Sequence, residues 1–307
     1  MAHRPTPPIA EFRVSDSSAG PYGITCGPDR ALWFTMVHHG RIGRLTPDGD
    51  VTSYQLDPAS GGPSIITTGP DGALWFTEFR GHGIGRITTT GEITSFPLPT
   101  PDAGPFGITA GPDGALWFTE ANSGRIGRIT PDGDVTEFPL PLSGAFPSAV
   151  VTGPDGRLWF TMNQANAIGA IALDGHVTVH PLPAPDSAPV GITAGADGAL
   201  WFVEIGAGRI GRITPDGKID EFALPDRASR PHAIAADDDG NCWFTEWGAN
   251  RIGRITPEGR IDEHDLPTAS SEPHGITLGP DGAVWTALEI GTVARLDTTN
   301  TPSPRRS

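Results

Sequence analysis

Apolar positions along this chain fall in short runs rich in Ile, Val, Thr, Trp and Phe, bounded by Pro-Asp-Gly turns, which is the pattern of strands. One tryptophan marks each cycle: Trp33, Trp75, Trp117, Trp159, Trp201, Trp243 and Trp285 stand 42 residues apart without a slip. A fixed period of that length marks a propeller or a solenoid. With 41 Gly and 32 Pro in 307 residues, few stretches as long as a helical repeat requires escape a breaker, which disfavours a helical solenoid. Seven units that cannot each bury a core alone argue for a single closed domain.

The third unit shows how one repeat is built. Pro105–Gly111 reads as strand A, Pro112-Asp113-Gly114 as a turn and Ala115–Glu120 as strand B; after the loop Ala121–Gly124, Arg125–Thr130 reads as strand C, Pro131-Asp132-Gly133 as a second turn and Asp134–Leu140 as strand D. Four antiparallel strands of this length make a propeller blade. Both tight turns lie on one face of the disc, and the longer B-to-C and D-to-A connections on the other. Strand D carries Phe-Pro-Leu-Pro, as at Phe96–Pro99, and proline inside a sheet belongs on an edge, so D is outermost. Strand A, uncharged and rich in small residues, suits the crowded position around the axis. The last unit ends with its strand C, while Glu11–Val14 matches strand D, with Phe12 two periods before Phe96. The N-terminal strand is therefore expected to complete the seventh blade and close the ring, removing exposed edges. The expected organisation is an N-terminal extension over residues 1–9, an all-β, seven-bladed propeller of four antiparallel strands per blade over residues 10–297, and a disordered tail over residues 298–307.

Positions that repeat seven times are scaffold, so chemistry is sought where the repeats disagree. The residue after a proline at the start of strand A runs Tyr22, Ser64, Phe106, Ser148, Val190, His232 and His274, and forms a ring at the channel mouth on the long-loop face. Blades one to three have Gly before that proline, whereas blade six reads Arg230-Pro231-His232 and blade seven Glu272-Pro273-His274. On an extended segment residues two apart point the same way, so Glu272 and His274 are expected to face the mouth together. Blade seven also reads Trp285-Thr286-Ala287-Leu288-Glu289, which displaces the carboxylate of the usual Trp-Phe-Thr-Glu by one residue and brings Glu289 toward Glu272. Two carboxylates with water suit a hard cation such as Mg²⁺, and a neighbouring imidazole can act as a general base. An Arg230–Glu272 ion pair is the structural alternative. Tyr22, Phe106, Val190 and Trp247 would give an apolar wall. Glu78, Glu120, Glu204 and Glu246 recur and read as structural, capping backbone donors or pairing with the recurring Arg of strand C. His38, His39, His82, His176, His180 and His264 read as surface residues. The indoles are expected to wedge between blades.

Composition narrows the partners. A net charge of −15, from 21 basic against 36 acidic residues, disfavours nucleic acid and anionic membrane surfaces. No long apolar run could span a bilayer and no secretory signal is evident, so a cytoplasmic protein is expected. Cys26 and Cys242 occupy different positions of different units and read as small core residues, without a disulfide framework or zinc spacing. A closed disc has no obligatory interface, so a monomer is expected.

The repeated Trp-Phe-Thr-Glu, the Arg-Ile-Gly-Arg-Ile-Thr runs, and the segments Arg230–Ile234 and Glu272–Ile276 resemble the streptogramin B lyases, also called virginiamycin B lyases, over roughly Ala10 to Leu296. The resemblance implies a seven-bladed propeller that opens the macrocyclic lactone of type B streptogramin antibiotics, a cyclic depsipeptide, by elimination, with Mg²⁺ required. It further implies His274 as general base, Glu272 and Glu289 as metal-linked carboxylates, and His232 as a substrate contact; Tyr22 also matches the family's first-blade pattern. Thr286-Ala287-Leu288 departs from the family, which more often keeps an aromatic after the tryptophan. A calcium-dependent propeller lactone hydrolase and a non-catalytic binding propeller are the alternatives.

Overall fold

The computed structural model describes residues 9–58 and 61–298. Seven four-stranded antiparallel sheets stand in a ring, and in six of them strand order follows the chain. In blade three the strands are Pro105–Ala110, Leu116–Glu120, Arg125–Ile129 and Val135–Pro139, each within a residue of its expected bounds. The seventh sheet takes its outer strand from the N-terminus: Ile9–Arg13 pairs with Thr292–Leu296, Phe12 opposite Val293. The closing strand thus includes Ile9, which the sequence placed in the extension. The rest of that extension, and the tail beyond Thr298, lie outside the described residues. No helix among the described residues is long and apolar enough to cross a membrane.

The blade-to-blade core is built by the tryptophans, as expected. Trp33 of blade one packs with Ile66, Leu74 and Phe76 of blade two, and equivalent clusters recur round the disc. The indole of blade one is fixed on three sides. In blade one Trp33 donates to Asp29 of the first turn at 3.0 Å, lies parallel to Tyr54 of the outer strand at 5.7 Å, and is covered by Arg44, whose Nε donates to the same Asp29 at 2.7 Å. The outer-strand partner is His180 in blade four and His264 in blade six, so these two imidazoles are packing groups and not the surface residues the sequence suggested. Cys242 is buried and Cys26 half-buried, and both are free thiols.

A second repeated device joins the inner strands. Thr119 accepts from Gly107 N of its own blade at 2.9 Å and donates to the carbonyl of Ser148 in the next blade at 2.6 Å. The same strut runs from Thr35, Thr77, Thr161 and Thr245 to the ring residue that follows. It thereby fixes the backbone from which the channel-mouth side chains project.

Candidate active site at the channel mouth

Every inner strand begins with a register shift between its first proline and the isoleucine or valine three residues on. Such a bulge bends the strand and re-aims the side chain inside it. The proline is preceded by a residue with left-handed backbone: φ is +66° at Gly20, +61° at Gly62 and Gly104, but also +50° at Phe146, +52° at Arg230 and +52° at Glu272. Glycine is the unstrained choice here, and a larger residue costs roughly 1–3 kcal/mol. Glu272 is therefore not on an extended segment, and alternation along a strand does not explain its place beside His274. The kink and the bulge do.

The backbone places Glu289 in the same way. In six of the seven blades the first residue of the B-to-C loop donates its amide to the carbonyl of the left-handed residue, as in Phe79 to Gly62 at 3.2 Å, Trp247 to Arg230 at 3.1 Å and Glu289 to Glu272 at 3.3 Å. One residue later than the recurring glutamate is thus a position tied directly to the channel mouth. Glu272, His274 and Glu289 each offer a ligand atom, and these atoms lie within 4.8 Å of one another.

His274 is buried, and its Nε2 lies 2.7 Å from Glu289 Oε2. The hydrogen bond from His274, helped by one from His38 and opposed by burial, holds the Glu289 carboxyl down at about 2, so it is ionised. Tyr22 lies across the mouth, 4.5 Å from the His274 ring and 5.7 Å from the His232 ring, with its hydroxyl 3.2 Å from His232 Nε2. Burial, with the charge of Glu289, raises the phenol of Tyr22 above its usual range. Burial, with the neighbouring His274 ring acting in the same direction, lowers His232 to about 3, so this imidazole is neutral. The structure therefore gathers Tyr22, His232, Glu272, His274 and Glu289, five of the six residues singled out by sequence.

Trp247, the sixth, holds in blade six the place that Glu289 holds in blade seven. Arg230 covers it at 5.3 Å, so Arg230 stacks on an indole where an ion pair with Glu272 was the structural alternative. A cavity of about 320 Å³ opens beside His274 and Glu289, lined by Tyr22, Phe79, Phe106 and Phe146 among others. Val190 does not line that cavity; with Tyr22, Phe106 and His232 it lines a second one between the inner strands. Phe79 and Phe146 were not picked out by sequence, because each sits at a position occupied by unrelated residues in other blades. His38 is exposed, as the sequence predicts, and its Nε2 also lies 2.8 Å from Glu289 Oε1, a contact that the sequence does not disclose. The recurring Glu120, Glu204 and Glu246 are fully buried. The strand C arginines of blades five and six turn outward instead, Arg209 to Glu221 at 2.9 Å and Arg251 to Asp265 at 2.7 Å.

The unusual Thr286 is compensated locally. In blade three a Cβ on Gly127 would lie 2.1 Å from the Phe118 ring, so the aromatic of strand B requires glycine opposite it in strand C. Blade seven replaces both partners, pairing Thr286 with Ala294, and Ala287 and Leu288 remain fully buried. The strand that delivers Glu289 is packed like the others.

A family model described as the virginiamycin B lyase family matches residues 7–296. Among solved structures, selenomethionine-substituted virginiamycin B lyase from Staphylococcus aureus is 46% identical, with a TM-score of 0.91 over 94% of this chain and 98% of that one. A catalytically inactive histidine-to-alanine variant of the S. aureus enzyme, crystallised with quinupristin, is 45% identical with the same TM-score and the same shares covered. The virginiamycin B lyase of Saccharopolyspora erythraea is 62% identical over 53 residues, a match that spans 17% of this chain and 18% of that protein.

Proposed function

This chain belongs to the virginiamycin B lyase family, and from that premise we propose that it linearises type B streptogramins by β-elimination at the ester linkage, inactivating the antibiotic. The observation that carries the reading is the meeting of Glu272, His274 and Glu289 at one opening of the channel, beside an aromatic cavity. In the S. aureus relative, replacing one histidine abolishes catalysis, and quinupristin is the molecule crystallised with it. That supports a histidine-dependent reaction on the same class of compound here.

His274 takes the proton from Cα of the threonyl unit. The C–H electrons form the Cα–Cβ double bond, the Cβ–O bond breaks, and the ester oxygen leaves as a carboxylate, giving a dehydrobutyrine. Glu289, ionised and 2.7 Å from the ring, stabilises the imidazolium as it forms. A positioned base of this kind contributes roughly 10²–10⁴ in rate. Tyr22 and His232, both uncharged, brace one side of the ring and contact substrate without competing for the proton. Phe79, Phe106 and Phe146 offer apolar surface to a bulky ligand, and Trp247 with Arg230 extends the rim over blade six.

Two carboxylates and one imidazole within 4.8 Å, with Glu272 exposed to solvent, fit a hard divalent cation that keeps several waters. Glu272 and Glu289 would hold Mg²⁺, which when bound supplies Lewis-acid polarisation of the adjacent carbonyl.

Incubation with a type B streptogramin and Mg²⁺, followed by mass analysis, tests the reaction. Elimination gives a linear product of unchanged mass, and His274→Ala yields none. A product heavier by one water would replace this reading with the lactone hydrolase, and an intact substrate with the binding propeller.

A further inference from the structure

Glu289 is held on both oxygens by imidazoles from different blades. Its Oε2 lies 2.7 Å from His274 of blade seven and its Oε1 2.8 Å from His38 of blade one, 251 residues away in the chain. We propose that His38 is a positioning residue of this site, fixing the rotation of the Glu289 carboxylate so that one oxygen stays on His274 and the group remains set for a cation. The proposal rests on the reading of Glu272 and Glu289 as cation ligands.

Three observations argue that the contact is built into the site. The backbone amide of His38 donates to the carbonyl of Ala19 at 3.2 Å, which fixes the base of the side chain. Its ring lies over Gly20, where a Cβ would come within 2.4 Å of Cδ2, so the imidazole reaches Glu289 only because residue 20 has no side chain. The equivalent loop position holds Arg80, Asn122, Gln164, Gly206, Gly248 and Ile290 in the other blades, so an imidazole occurs only in the blade that adjoins Glu289.

An ordinary surface ion pair between a side chain 44% exposed and one 29% exposed contributes little to stability and nothing to function. A carboxylate with a task differs. One held by a single hydrogen bond turns about its last torsion, whereas one held at both oxygens does not. Partners of metal-linked carboxylates typically govern affinity by about 10–100-fold when removed.

The test compares wild type, His38→Ala and His38→Gln in two ways. Titration calorimetry with Mg²⁺ alone should show binding weakened about tenfold or more in His38→Ala and largely recovered in His38→Gln, whose amide can still donate. Crystal structures of the metal-free proteins should show the Glu289 carboxylate turned away from His274 in the alanine variant and in place in the glutamine variant. If Glu289 stays on His274 in His38→Ala and Mg²⁺ binds as in wild type, the positioning role is overturned. If wild type itself binds no Mg²⁺, the cation reading falls, and the position of Glu289 in the metal-free variants still decides the role of His38.

Discussion

A single carboxylate organises the chemistry at the residue scale. Glu289 accepts from two imidazoles and stays ionised, which makes it the electrostatic partner of any positive charge arising on His274. Glu289→Gln keeps the shape but loses the charge, so its turnover should fall roughly 10–100-fold, with a higher Mg²⁺ requirement in steady-state assays. His232 makes a complementary case. It is neutral above about pH 3 and contacts Tyr22, so it contributes geometry and not a titration near neutrality. His232→Gln should therefore lower the amplitude of the pH–rate profile and leave its shape between pH 5 and 9 unchanged. A profile that moves along the pH axis would make His232 a participant in proton transfer.

At the scale of the strand, the repeats work through matched pairs, and these explain what the sequence could and could not disclose. The Trp–Asp–Arg clusters, the threonine struts and the glycine opposite each phenylalanine recur at fixed offsets, so the 42-residue period exposed the blades and their order. Glu272, His274 and Glu289 were legible as departures from that period. His38 was not, because its contact crosses the seam between the last blade and the first, and its neighbour His39 made the pair look like ordinary loop residues. The left-handed backbone at Glu272 was equally hidden, since Phe146 and Arg230 break the glycine pattern that would have disclosed it. The glycine–phenylalanine pairing is directly testable. Gly127→Ala drives a methyl into the Phe118 ring and should cost roughly 1–3 kcal/mol in denaturant unfolding. Ala294→Gly in blade seven faces Thr286 and meets no such ring, so it should cost less than Gly127→Ala.

Over the whole molecule, closure and burial set the stability. The N-terminal strand behaves as an ordinary outer strand: Glu11 accepts from Thr268 N of the preceding blade connection at 3.1 Å, as Glu137 of blade three does from Thr100 N at 3.1 Å. The cost of packing seven polar blades together appears in the recurring glutamates. Burial raises Glu120, Glu204 and Glu246 to about 7, with neighbouring Glu137, Glu221 and Glu263 acting in the same direction. An unfolded chain releases these protons near pH 4.3, so between there and about 7 the folded state binds more protons than the unfolded one. Stability must then fall as pH rises through that window and level off above it. The turn aspartates act at the other end. Burial alone would raise Asp29 and Asp113, but the bonds from their Trp and Arg partners outweigh it and hold both low, so their contribution is lost as pH falls below the usual carboxylate range. Thermal unfolding should therefore be highest near pH 5 and decline by pH 8. In Glu120→Gln/Glu204→Gln/Glu246→Gln the decline should flatten, because a neutral amide has no proton to lose. A wild-type melting temperature that holds level or climbs from pH 5 to 8 would mean that these buried acids find a compensating partner in solution.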